Sequence, residues 1–205
     1  MKLRIAIFFL FALGLFLMAA CGAQPEETTE MSFDEKQALY AEQIEAEDIT
    51  KEDVEIVLIK ELQDGNVSGY EEAVLFKCTA TDHLSAAMGL CYATPETESV
   101  VIGGGAGPQL LDEQEPLNFS SVWARSQAEE QGALYLFYGL VHDAAIQEIE
   151  LLFTDEVTIS ATVENGGFLL ERVWDIPDPS AGIQKIAGKD AAGNVIYESP
   201  SREEL

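Results

Sequence analysis

The sequence predicts an all-β fold, an antiparallel β-sandwich of the Ig-like or a related type. After Gln131-Gly132, strand-like apolar runs recur about every ten residues, which is the spacing of short strands in sandwiches and barrels. Asn165-Gly166 is the strongest hairpin signal, because both central residues of its turn must adopt positive φ. In this half of the chain we expect strands at 133–141, 146–153, 157–163, 168–173, 183–188 and 195–197.

The residues before Gln131 carry a less regular strand pattern. Strand-like runs occupy 54–62, 73–80, 86–93 and 99–102. The segment 103–121, rich in glycine and proline, predicts an irregular connection whose end is docked into the core by Val122 and Trp123. Its glycine run resembles a phosphate-binding loop, but it lacks the Lys-Ser/Thr ending and no helix pattern follows. A tight or flexible loop is the better interpretation.

One short helix precedes the strands. Ser32 and Glu35 form a capping-box pattern, which predicts a helix from Phe33 to Glu47. Phe33, Tyr40 and Ile44 would share one face of this helix. We therefore expect residues 33–49 to be either a spacer or a helix laid across the domain, and residues 50–205 to form one β-rich domain.

The N-terminus has the pattern of a lipoprotein signal peptide. Lys2 and Arg4 precede an apolar run of 16 residues, which closes with Ala19-Ala20 before Cys21. Small residues before a cysteine suit a lipoprotein signal peptidase. An ordinary secretory signal would show an A-x-A site, which is absent, and a membrane span would need ~20 apolar residues.

Cleavage before Cys21 would leave a diacylglycerol on its thiol, usually with further acylation such as palmitate. Two or more chains hold a protein stably on a membrane. Residues 1–20 are thus the predicted signal peptide, and residues 21–32 the predicted lipidated N-terminus and flexible acidic stalk. We expect the protein at the cell membrane, lipid-anchored, on the extracytoplasmic face.

The charge balance excludes one class of partner. Loss of Lys2 and Arg4 with the signal peptide leaves 9 basic residues against 37 acidic ones, a formal charge of −28. Such a chain repels nucleic acid and anionic lipid headgroups. We expect no nucleic-acid partner, and we expect the lipid alone to provide the membrane affinity.

Cys78 and Cys91 remain as a pair if Cys21 carries lipid. Two strand-like runs joined at Leu84-Ser85 would place these two cysteines directly opposite each other, within disulfide range. An oxidising compartment favours that bridge. The remaining alternative is two free buried thiols.

Residues for catalysis or metal binding do not form a coherent set. His83 and His142 are the only histidines, and both are expected to be exposed turn residues. No nucleophile elbow, zinc ligand set or EF-hand pattern accompanies them. We therefore predict no catalytic residue, no metal site and no cofactor. The aromatic residues that could line a sugar groove are Tyr92, Trp123, Tyr135, Tyr138 and Trp174.

Several segments of the C-terminal part carry a family resemblance. Residues 138–143, 146–151, 158–163, 167–169 and 186–197 resemble uncharacterised surface lipoproteins of low-GC Gram-positive bacteria, which share the phrases G-x-V-x-D…I-x-x-I-x-V and D-x-x-G-x-x-I. The likeness covers roughly a third of the chain and rests on strand and turn residues. It implies a host with one membrane, but no activity, cofactor or catalytic residue.

These observations favour a non-catalytic binding or interaction module at the cell surface, whose partner is an envelope protein or glycan. The alternative is a cell-envelope enzyme that acts on glycan or peptide through carboxylates the sequence does not identify. An enzyme should place acids and aromatics in one deep cleft near Trp123 or Trp174, whereas a binding module should show a shallow face or an exposed edge strand.

Overall fold

The computed structural model describes residues 31–48, 50–62, 70–95, 100–125, 133–174 and 182–199, without the side chains at 100–102, 104, 124, 125 and 174. The helix α1 spans Phe33–Glu47. The strands are β1 (Lys51–Glu61), β2 (Glu72–Ala80), β3 (Ser85–Pro95), β4 (Val100–Leu110), β5 (Leu117–Arg125), β6 (Ala133–Val141), β7 (Glu148–Phe153), β8 (Thr158–Thr162), β9 (Gly167–Trp174), β10 (Ile183–Lys189) and β11 (Val195–Glu198).

These strands form three antiparallel sheets. The first sheet is the meander β1-β2-β3-β4, the middle sheet has the order β5-β6-β9, and the third sheet has the order β11-β10-β7-β8. Every ladder between neighbouring strands is antiparallel. The prediction of an all-β sandwich is therefore confirmed.

The apolar core has three parts, because the first and middle sheets are each covered on both faces. One part packs the first sheet against the middle sheet, around Leu75, Leu90 and Leu136. A second part packs α1 on the outer face of the first sheet. The third part packs the middle sheet on the third sheet. Along β6, neighbouring residues alternate between the first and third parts, as the two-residue period of a strand requires.

The helix begins where its capping box predicts. The Ser32 hydroxyl accepts from the Glu35 amide, and the Glu35 carboxylate accepts from the Ser32 amide. Tyr40 and Ile44 are buried against the first sheet, while Phe33 is half exposed. Helix α1 is thus laid across the β-rich part, within one compact unit that begins at Ser32.

The prediction of an irregular connection at 103–121 is wrong. Strand β4 continues to Leu110 and a further strand, β5, begins at Leu117. Backbone pairing with β3 needs no side chains, so Gly103 and Gly105 remain in the ladder. Pro108 falls at a register shift, where a proline is tolerated. Val122 packs against the core as expected, but Trp123 is 59% exposed.

The predicted Asn165-Gly166 turn is present, and both residues have positive φ (51° and 73°). A single bridge, Glu164 to Gly167, closes it. Beyond that bridge β8 pairs in the third sheet and β9 in the middle sheet. The turn therefore passes the chain between two sheets instead of closing a long hairpin.

A buried carboxylate fixes α1 on the first sheet. Glu72, at the start of β2, is 3% exposed. It accepts a short hydrogen bond from the Tyr40 hydroxyl and a bond of 2.9 Å from the Lys36 ammonium. Burial, together with the bond to Glu72, raises the pKa of Tyr40 above its ordinary value, because both favour the protonated phenol. No sequence pattern indicates this cluster, because a strand-end acid in so acidic a chain is expected to be exposed.

We expect Glu72→Gln to lower the free energy of unfolding by about 1–3 kcal/mol, because it removes a charged acceptor from the buried Tyr40 hydroxyl and the partly buried Lys36 ammonium. Glu55→Gln is the matched control, since Glu55 also lies on a strand and pairs with Lys77, but is mostly exposed. Its effect should stay within about 0.5 kcal/mol. Urea unfolding of both variants measures the difference, and equal effects would contradict a structural role for Glu72.

Candidate functional site

The predicted lipidation site, Cys21, lies outside the described residues. Within the part of the chain that the structure covers, no helix is long and apolar enough to cross a membrane. Within the same ranges, no group of three or more histidine, cysteine or acidic side chains could hold a metal ion. His83 and His142 are exposed, as predicted.

The predicted pairing of Cys78 with Cys91 is wrong. Cys78 lies opposite Ala87 and Cys91 lies opposite Val74, so the two cysteines are about 13 Å apart along the strand direction. That separation exceeds disulfide range, and both thiols are free and buried beneath α1. The cause is a four-residue turn, 81–84, that ends in Leu84 with φ 48°. A bulky residue rarely adopts this conformation, so the sequence pattern does not indicate it.

The aromatic residues proposed for a sugar groove divide into two groups. Tyr92 and Tyr138 are buried between the first and middle sheets. Trp123 and Tyr135 lie on the opposite face of the middle sheet, and the predicted opposite orientation of Tyr135 and Tyr138 is confirmed. Among these four residues, only the second group offers a surface to a ligand; the side chain of Trp174, the fifth aromatic residue predicted for the groove, lies outside the described part of the chain.

Trp123, Tyr135 and Arg172 are directly paired across the three strands of the middle sheet. We call these three residues the aromatic row. Directly opposed residues on neighbouring strands have Cβ atoms ~4.5–5.5 Å apart, so the side chains are in contact range. Trp123 is the exposed end of the row, on the edge strand β5, and Tyr135 is half-buried.

The other two members of the row, Tyr135 and Arg172, are held in place by their neighbours. The Arg172 guanidinium lies 4.3 Å from the centre of the Phe153 ring and donates two hydrogen bonds to Asp155. Those bonds lower the pKa of Asp155, so its carboxylate stays charged. The Tyr135 ring stacks on the Phe137 ring, with 6.3 Å between the two ring centres, and Phe137 contacts Phe153 edge-on. The row is therefore anchored in the core between the middle and third sheets.

A concave feature separate from the aromatic row lies on the outer face of the first sheet, at the C-terminal end of α1. It is an open cavity of about 190 Å³, and we call it the helix-end cavity. Its lining residues are Ile44, Glu47, Asp48, Lys51, Phe76, Leu90, Cys91, Gly105, Ala106 and Gly107. None of them belongs to the aromatic row. The cavity is thus not the deep cleft near Trp123 that we expect of an enzyme.

The glycine run that suggested a loop forms the floor of this cavity. Gly105, opposite Cys91, has φ 120°, and a Cβ there would lie 2.1 Å from the Leu90 carbonyl oxygen. A Cβ at Gly107 would meet nothing within 4 Å, because it would point into open space. Where other strands carry side chains, β4 presents bare backbone to the end of the helix.

Comparisons with protein-family models, with curated proteins and with solved structures gave no significant match. The resemblance to surface lipoproteins of low-GC Gram-positive bacteria therefore stays a prediction.

Burial raises the pKa of the Cys91 thiol from its ordinary 9.0 to about 12. The unfolded chain releases this proton near pH 9 and the folded chain only near pH 12, so stability is full below pH 9 and falls as the pH rises. Between pH 7.5 and pH 10 we expect Cys91 to lower the free energy of unfolding by on the order of 1 kcal/mol. Cys91→Ala should remove that part of the loss in urea unfolding, and an unchanged pH slope would contradict the buried thiol.

Proposed function

We propose that this chain is a lipid-anchored protein of the extracytoplasmic face of the cell membrane, attached through Cys21, and that it binds an envelope glycan without catalysing a reaction. The observation that carries the binding role is the aromatic row, in which a Trp123 side chain 59% exposed continues a half-buried Tyr135. The observation that carries the anchor is the signal pattern before Cys21.

An aromatic row of this kind suits a sugar ring. The faces of Trp and Tyr rings carry partial negative charge, and one face of a pyranose presents polarised C–H groups that are attracted to it. The positions in the row follow the strand spacing of ~4.8 Å, which is close to the width of one sugar ring. Because Tyr135 is packed on Phe137, little side-chain entropy is lost on binding.

A protein partner fits the row less well. The exposed area of Trp123 and Tyr135 together is on the order of 200 Å², whereas each partner in a specific protein interface contributes about 800 Å².

The charge of the chain also favours one kind of glycan. A mature charge of −28 repels anionic polymers, so a neutral or amino-bearing polysaccharide is the expected ligand.

The glycan proposal is tested by sedimentation of the protein with an insoluble neutral polysaccharide such as chitin. Trp123→Ala should weaken binding by about tenfold or more, as loss of a central aromatic residue does in other interfaces. Trp123→Phe should retain part of the affinity, since a ring remains. Phe33→Ala removes a similarly exposed aromatic residue on α1 and should change nothing. Equal binding by Trp123→Ala, or no binding by the unaltered protein, would refute the proposal.

The anchor is tested separately by Cys21→Ala. We expect this variant to be released from the membrane or to remain unprocessed, because no thiol is left to carry the lipid. Cell fractionation with intact-mass measurement distinguishes these outcomes. Cys78→Ala is the control, since Cys78 lies in the folded part and should not affect attachment. Membrane retention of Cys21→Ala at the mature mass would show that the lipid is not the anchor.

A further inference from the structure

The helix-end cavity is large enough to hold a small ligand. Its volume of about 190 Å³ exceeds that of a ~150 Å³ cavity in another protein that binds benzene. The Phe76 ring and the buried Cys91 supply apolar surface, and the glycine backbone of β4 leaves the space unfilled. A single ring or a short branched chain therefore fits.

The rim of the cavity is negative. Helix α1 ends with Glu47 and the C-cap Asp48, and its last turn contains no basic residue. The C-terminal end of a helix carries partial negative charge, equivalent to roughly half an electron. Acidic residues at this end add to that charge, whereas most helices place basic residues there.

Among the described residues that line the cavity, Lys51 is the one cation that offsets this charge, and it is already paired. The Lys51 ammonium lies 2.6 Å from the Asp48 carboxylate and 5.8 Å from the centre of the Phe76 ring. Asp48 also accepts from the Thr50 amide and hydroxyl. Glu47 accepts one bond, from the Gln43 amide group at 3.2 Å, and stays exposed. The Glu47 carboxylate and the helix end therefore leave a net negative charge at the mouth.

We propose that the helix-end cavity binds a small organic cation, an ammonium group carried on an apolar ring or a short apolar chain. The apolar part would lie against Phe76, Cys91 and the β4 backbone. The ammonium group would lie at the mouth, beside Glu47 and the last carbonyl groups of α1. This site is independent of the aromatic row, so either proposal can fail without the other.

Three probes of similar shape and different charge test the proposal on the full-length protein in detergent micelles. The probes are 2-phenylethylammonium, 2-phenylethanol and phenylacetate. Their binding is measured through changes in the backbone amide NMR signals of the protein. We expect the ammonium probe to shift the signals of Cys91 and Gly105–Gly107 and to bind at least about tenfold more tightly than the alcohol. Phenylacetate should bind most weakly. Equal affinity of all three probes, or no shift at these residues, would overturn the proposal.

Two variants distinguish binding of the probe in the cavity from binding of the probe to the micelle. Gly107→Leu should abolish the shifts by filling the cavity, and it should fold because a Cβ at this position meets no neighbour within 4 Å. Glu47→Gln should weaken binding of the ammonium probe several-fold and leave the affinity for 2-phenylethanol unchanged, because this substitution alters the charge at an exposed position and little else. If Gly107→Leu binds the ammonium probe as tightly as the unaltered protein, the cavity is not the site.

Discussion

Burial on both faces of two successive sheets is the constraint on which the rest of this structure depends. The first sheet lies between α1 and the middle sheet, and the middle sheet lies between the first and third sheets. Strands β2, β3 and β6 therefore carry apolar residues almost without interruption, as strands covered on both sides must. At the two edges of the third sheet, by contrast, β8 and β11 have mostly exposed residues.

Helix α1 completes this arrangement by covering the outer face of the first sheet, and its two ends behave differently. Toward the N-terminal end, Lys36 and Tyr40 satisfy the buried Glu72, which specifies one position of the helix on the sheet. At the C-terminal end, the glycines of β4 provide no side chains to pack against. The same helix thus closes the core at one end and leaves a cavity at the other.

The aromatic row depends on the middle sheet in a similar way. Phe119, Phe137 and Phe168 stack on one face of this sheet, where the third sheet covers them. Tyr135 extends that stack, and Trp123 continues the row to the edge strand, where it is exposed. A surface built on a rigid sheet is preorganised, so the glycan binding that we propose would order few side chains.

The sequence by itself determined the all-β class, the capped helix, most strand positions and the Asn165-Gly166 turn. Each of these follows from local pattern, that is, from residue period, cap chemistry or backbone preference. Strand β5 and the continuation of β4 were missed, because glycine and proline normally end a strand and only pairing with β3 and β6 retains them. The separation of Cys78 from Cys91 was decided by the turn at Leu84, whose positive φ no local pattern indicates.

Tertiary structure alone decided which surfaces are left for function. The burial of Glu72, the exposure of Trp123 and the cavity over Gly105 and Gly107 each depend on which elements pack together, and this packing joins residues far apart in the chain. The predicted N-terminal signal is the opposite case. It rests only on the order of charged, apolar and small residues before Cys21, so the sequence alone carries that prediction.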